Sequence, residues 1–176
     1  MEKKLIGTFK VDSGCITASD PCHKADAWCA KTYSAKNGVY NVYLTRGIED
    51  EEWGERNWEL EIVHEEHDNN PALADDFEFN GYACVDSGTF GFFDKAYYDK
   101  YHTDKLNEYW YEKYILEVSD KANTDIDDKG VWCRSGYGDG AYDVYGVWRE
   151  NVIIALKVVF IEEVDEDDGG WVEVDE

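Results

Sequence analysis

The chain has 176 residues, a formal charge of −23, 43% hydrophobic and 15% aromatic residues. That aromatic content excludes a disordered acidic chain, and the length suits one domain that buries roughly 70% of its unfolded surface. No clustered Lys/Arg stretch is present to neutralise phosphates, so nucleic-acid binding is not expected, and no run reaches the roughly 20 apolar residues of a membrane helix.

Short alternating or apolar runs separated by turn residues predict strands of an antiparallel sheet. Lys4 to Val11 opens the series and Cys15 to Ala18 follows Ser13-Gly14. Val39 to Thr45 is entered from Asn37-Gly38, a strong turn dipeptide. In Trp58-Glu59-Leu60-Glu61-Ile62 the alternation predicts Trp58, Leu60 and Ile62 inside, with Glu59 and Glu61 facing water. Glu49 to Glu52 forms the preceding hairpin loop. Phe77 to Val85 and Thr89 to Phe93 flank a second Ser-Gly turn. Asp94 to Tyr114 carries Tyr97, Tyr101, Leu106, Tyr109 and Trp110 at helical spacing and is the one predicted helical region. Val131 to Ser135 and Ala141 to Trp148 surround Gly136-Tyr137-Gly138-Asp139-Gly140, and the apolar run Val152 to Ile161 reads as a central strand. The expected fold is mainly β: a single antiparallel β-sandwich or β-roll-like domain over residues 1–161 with one or two short helices, followed by an acidic tail over 162–176.

The charge is localised. Arg46 to Glu78 holds 13 acidic and 2 basic residues, and Ile161 to Glu176 holds 9 acidic and no basic ones, which leaves the rest of the chain near neutral. Such segments favour a basic partner surface, although acidic loops also serve solubility alone.

Val11-Asp12-Ser13-Gly14 recurs as Val85-Asp86-Ser87-Gly88, each followed by an aspartate eight residues after the first, Asp20 and Asp94. An Asp-Ser-Gly between strands makes a tight connection in which Asp or Ser accepts a backbone N–H and Gly takes positive φ. A functional alternative has Asp12, Asp86 and Asp139 converging on a cation or ligand.

Several catalytic patterns fall short. His64-Glu65-Glu66-His67 misses HExxH by one residue, and two histidines at that spacing on a strand end are expected at the surface without helix-type chelation. Asp125 to Gly130 begins like a calcium loop, but Gly136 stands where the bidentate Glu is required. Cys22-His23 with Cys29 lacks the second pair of a zinc finger, and five scattered cysteines read as reduced thiols in a cytoplasmic protein. No catalytic residue, cofactor or defined metal site emerges, so a non-enzymatic role is favoured while an enzyme stays open but unsupported.

The run Val11-Asp12-Ser13-Gly14 through Asp20-Pro21-Cys22, the later Val85-Asp86-Ser87-Gly88, and Ser135-Gly136-Tyr137-Gly138-Asp139-Gly140-Ala141-Tyr142 before a terminal apolar strand resemble domain-of-unknown-function family 4241, uncharacterised proteins of bacteria and bacteriophages. The resemblance spans Gly7 to Phe160 and implies a phage or prophage origin; His23 departs from the aromatic expected after Asp-Pro-Cys. It brings no activity or site residues.

Two functions are consistent with these readings. One is a non-enzymatic acidic binding protein, a phage accessory or counter-defence factor that engages a basic surface of a host protein. The other is a small-molecule or signalling-nucleotide pocket near the paired turns, serving sequestration or hydrolysis and lined by Asp12, Asp86, Trp132, Arg134, Tyr137, Asp139 and Tyr142, with Arg134 and Arg149 as the cations for phosphate; metal binding by the aspartates is a further alternative. Oligomeric state is not encoded in any pattern found.

Overall fold

A computed structural model describes residues 1–114, 122–123 and 126–163. The expected acidic tail lies almost wholly outside them. Among the described residues eleven strands form: β1 (Glu2–Val11), β2 (Cys15–Ser19), β3 (Lys31–Ser34), β4 (Gly38–Ile48), β5 (Glu55–His64), β6 (Glu78–Val85), β7 (Thr89–Asp94), β8 (Ala122–Asn123), β9 (Gly130–Arg134), β10 (Gly140–Arg149) and β11 (Val152–Val159). A 3-10 helix covers Pro71–Asp76, and helices α1 (Lys95–Tyr101) and α2 (Asn107–Tyr114) follow β7. The predicted single helical region is two helices, because Asp94 caps the first and His102 leaves helical geometry at φ −99° and ψ 52°.

A six-stranded sheet in the order β1-β4-β5-β11-β10-β6 packs on a five-stranded sheet in the order β3-β2-β7-β9-β8, and the strand pairs within both are antiparallel. The fold is therefore a β-sandwich with short helices, as the alternation predicted. Period-2 patterning sorts its faces. Phe90, Phe92, Val131 and Cys133 enter the core between the sheets with Leu60, Ile62, Leu156 and Val158. The neighbouring Phe93 and Trp132 point the other way, into a second aromatic cluster closed by Tyr98, Trp110 and Tyr114 of α1 and α2. All five cysteines are free thiols, with Cys29 and Cys133 buried.

Apart from β8 at one edge of the smaller sheet, both sheet orders are palindromic with respect to the chain. Strands β1 to β5 are matched one for one by β6, β7, β9, β10 and β11, with α1, α2 and β8 inserted in the second set. The match holds at single residues. Val11 pairs with Gly38 and Val85 with Gly140. The Ala35 N–H donates to the Gly14 carbonyl at 2.9 Å, and the Ser135 N–H to the Gly88 carbonyl at 3.0 Å. The hydroxyls of Tyr40 and Tyr142 each donate, at 2.8 Å, to the carbonyl four residues back. In the five-stranded sheet Ala18 lies opposite Phe92, and these two stand at equivalent positions four residues beyond Gly14 and Gly88. A pseudo-two-fold axis runs through that pair. The repeated Val-Asp-Ser-Gly is thus the visible part of a whole-domain duplication, in which each turn carries the chain from one sheet to the other.

Candidate functional site

The two turns differ from the expected self-contained connections in where their donors go. Gly14 and Gly88 take φ of +72° and +73°, as predicted. The acceptor is the distant aspartate of the opposite copy. Asp20, fully buried, accepts from the backbone N–H of Asp86 at 2.9 Å and of Ser87 at 2.7 Å, from the Ser87 hydroxyl at 2.7 Å, and from the Cys22 N–H at 2.9 Å. Asp94 accepts from the N–H groups of Asp12 and Ser13, both at 2.9 Å, and caps α1 through the Tyr97 N–H at 3.1 Å. Burial pushes the Asp94 carboxyl up, but these backbone donors outweigh it and hold the pKa below the usual value. The repeated spacing of eight residues is therefore a reciprocal lock made possible by the antiparallel β2/β7 pair.

That lock leaves the turn carboxylates with separate partners. Asp12 lies against Lys129 and, at 3.2 Å, Lys10, whose ammonium groups lower its pKa. Asp86 faces His23 at 3.2 Å. Asp139 is exposed in the loop before β10. Trp132 is buried in the aromatic cluster under the helices, and Tyr142 is buried with its hydroxyl on the Gly138 carbonyl. Of the candidate ligand residues, Arg134 lines a cavity, and Tyr137 stands at its edge against the Arg56 guanidinium.

That cavity, about 500 Å³, lies between the β4–β5 hairpin and the loop after β9, and is lined by Arg46, Trp53, Glu55, Arg56, Asn57, Arg134, Ser135 and Gly136. The chain has four arginines, and three of them meet here. Arg56 donates from Nη1 to the Gly136 carbonyl at 2.7 Å, and its guanidinium sits over the rings of Trp53 and Tyr137, 4.6 and 5.5 Å from their centroids. Asn57 ties the opposite wall by donating from Nδ2 to the Arg134 carbonyl at 2.9 Å. Arg46 is mostly buried and contacts Glu55 at 3.4 Å, while its Nε and Nη1 are buried without a hydrogen-bond partner among the described residues. Arg134 is exposed, and its guanidinium has no ion-pair or hydrogen-bond partner among the described residues. Gly136 permits this approach: a Cβ there would lie 2.6 Å from the Asn57 carbonyl oxygen and 2.7 Å from the Ile161 side chain.

Arg46, Arg56 and Trp53 escaped the sequence reading because they sit inside the most acidic internal segment, where averaging the charge hides them. The available signal was their mirrored placement at either end of the hairpin, where Arg46 pairs with Asn57 and Gly47 with Arg56.

A second polar cavity, about 400 Å³, lies on the outer face of the six-stranded sheet beneath the 3-10 helix. There Glu59 and Glu61 depart from the expectation that they face water. Glu61 is 6% exposed and accepts from Lys3 through both carboxylate oxygens at 2.9 Å. Burial pushes Glu59 up to about 7, reinforced by Glu61 and opposed by Lys157 at 3.8 Å. The alternation assigned the face correctly, but β5 is a central strand whose outer face is covered. Among the described residues, His64, Glu66 and His67 form the one group of three metal-ligating side chains with donor atoms within 4.8 Å of one another.

Comparison with protein-family models, with curated proteins and with solved structures finds no match for the chain. No helix among the described residues is long and apolar enough to cross a membrane.

Proposed function

We propose that the protein is a non-enzymatic binding protein that holds a small phosphate-bearing ligand of the nucleotide class in the arginine cleft. The convergence of Arg46, Arg56 and Arg134 in a chain of charge −23 carries this reading. Guanidinium groups match phosphate oxygens in pairs, and a group of them concentrated at one cleft offsets the repulsion of the surrounding acidic protein. Trp53 in the cleft and Tyr137 at its edge are 61% and 53% exposed, and the ring faces turned away from Arg56 are where a base can stack. A volume of about 500 Å³ suits such a ligand. The lining supports binding over turnover, since the Ser135 hydroxyl donates to the Gly138 carbonyl at 2.6 Å and Glu55 is paired with Arg46.

The alternative, an acidic surface for a basic host protein, has less support. Within the internal acidic segment Glu55, Glu59, Glu61, Glu66 and Asp76 each have a Lys or Arg partner in the same chain. Five of that segment's 13 carboxylates are therefore already met internally.

Isothermal titration of the full chain at low salt with ADP and with inorganic pyrophosphate tests the proposal. Arg56→Ala and Arg134→Ala are each expected to weaken binding by about 10- to 100-fold, the worth of a charge-assisted contact, while Arg149→Ala, outside the cleft, leaves it unchanged. Absence of binding by both ligands at millimolar concentration would sink the reading.

A further inference from the structure

Strand β5 ends in the turn His64-Glu65-Glu66-His67, closed by the His67 N–H donating to the His64 carbonyl at 2.9 Å. The turn does what a helix would do at this spacing in another way: it folds the chain back so that His64, Glu66 and His67 each place a donor atom within 4.8 Å of the other two, with the imidazole rings 6.0 Å apart. The expectation of two surface histidines fails at His64, which is 2% exposed.

Two independent features single out His64. Its Nε2 lies 2.9 Å from the Asn37 carbonyl oxygen, which can only accept, so the ring proton belongs on Nε2 and Nδ1 keeps its lone pair. Among the described residues Nδ1 receives only a long contact, 3.3 Å, from the Glu66 N–H. A backbone carbonyl that fixes the tautomer from behind, with the other nitrogen turned toward two further donors, is how metal-ligating histidines are held.

The second feature is the internal duplication. The position equivalent to His64 in the second copy is Phe160: Tyr40 meets His64 edge-on at 5.2 Å and 87°, and Tyr142 meets Phe160 at 5.2 Å and 88°. The fold accommodates a plain aromatic at this core position. Packing alone does not call for an imidazole in the first copy.

We propose that His64, Glu66 and His67 bind one divalent late first-row transition-metal ion, through His64 Nδ1, a Glu66 carboxylate oxygen and one His67 ring nitrogen. Two nitrogens and one oxygen suit zinc, cobalt or nickel, and three protein ligands leave a coordination position for water. Bonds of about 2.0–2.1 Å require the donors to close to roughly 3.3–3.5 Å, which falls to Glu66, exposed on the turn, and to half-buried His67. At present the Lys36 ammonium is hydrogen-bonded to the Glu66 carboxylate. Lys36 is therefore a built-in competitor that the ion displaces. A cleft of about 430 Å³, lined by Lys36, His67 and Arg149 among others, opens beside the turn as the route of entry. None of these groups lines the arginine cleft, so this site stands or falls on its own.

The test uses the full chain stripped with chelator and titrated with Co²⁺, read by its d–d absorption, then with Zn²⁺ in competition. One equivalent should bind. His67→Ala and Glu66→Gln should each weaken binding at least about 10-fold. Lys36→Met should tighten it, which neither a structural role nor binding elsewhere would produce. His64→Phe, which copies the second half of the molecule, should unfold in EDTA near the wild-type temperature yet show no cobalt spectrum; if it does not fold, the His67, Glu66 and Lys36 variants decide. Failure of the wild type to bind cobalt, or binding indifferent to His67→Ala and Glu66→Gln, overturns the proposal.

Discussion

Replacing Asp20 by asparagine keeps the size of a fully buried side chain and removes half of its acceptors. The carboxylate takes four hydrogen bonds, two on each oxygen: Cys22 N–H at 2.9 Å and the Ser87 hydroxyl at 2.7 Å on Oδ1, and the N–H groups of Asp86 at 2.9 Å and Ser87 at 2.7 Å on Oδ2. An amide presents NH₂ to one of these pairs. If it faces the two backbone N–H groups, both lose a charged acceptor and are left unpaired. The milder orientation turns NH₂ toward Cys22 and Ser87, whose hydroxyl can rotate to accept, and one backbone N–H is stranded. A hydrogen bond to a charged group contributes about 1.5–3 kcal/mol and a stranded buried donor costs about 1–3 kcal/mol, so the loss is about 3–5 kcal/mol. Against a total of about 5–15 kcal/mol that is a large fraction. Urea denaturation of the full chain should show the midpoint falling by about 1–2 M with an unchanged slope of about 2–3 kcal/mol/M. A loss under about 1 kcal/mol would refute the reciprocal lock as a source of stability.

Asp94→Asn should cost a similar amount, and because the Asp94 pKa is depressed in the fold, its contribution is present above the unfolded value and is lost as pH falls through the folded one, a dependence that denaturation at a series of acidic pH values will reveal. Glu59 has the opposite sign: burial raises it from 4.5 to about 7, so stability should decline as pH rises across that window. Glu59→Gln should flatten this slope and gain roughly 1–3 kcal/mol at pH 8, measured by the same denaturation series. Burial lowers His102 from 6.5 to about 4, outweighing the Tyr98 and Pro21 carbonyls at 3.1 Å that favour its charged form. Protonation therefore destabilises the fold as pH drops from 6.5 toward 4, and the His102 ring signals, followed by NMR, should remain those of neutral imidazole at pH 6.

The strand order of this domain could not be read from the chain, but most strands could, because alternation reports faces directly. β3 was missed: Lys31–Ser34 is short, polar and mostly exposed at a sheet edge, so it lacks the apolar period that marks the others. Glu59 and Glu61 show the limit of the same signal, which assigns a residue to a face without saying what covers it. The repeated turn with its trailing aspartate was plain in the sequence. That Asp20 serves the Asp86-Ser87 turn and Asp94 the Asp12-Ser13 turn depends on β2 lying against β7, a pairing between residues more than 70 apart in the chain. For the cleft, Arg134 and Tyr137 were legible beside the glycine-rich loop, whereas Arg46 and Arg56 were concealed by 13 acidic neighbours and became visible once the hairpin closed.

The most direct measurement of ligand binding follows the arginine side-chain Nε–Hε resonances by ¹H–¹⁵N NMR while ADP is added to the full chain. With four arginines in the protein the spectrum is simple enough to assign by substitution. Saturable shifts at Arg46, Arg56 and Arg134, with Arg149 unmoved, are the expected result. Shifts confined to Arg149, or none at any arginine up to millimolar ADP, would contradict a phosphate-binding cleft.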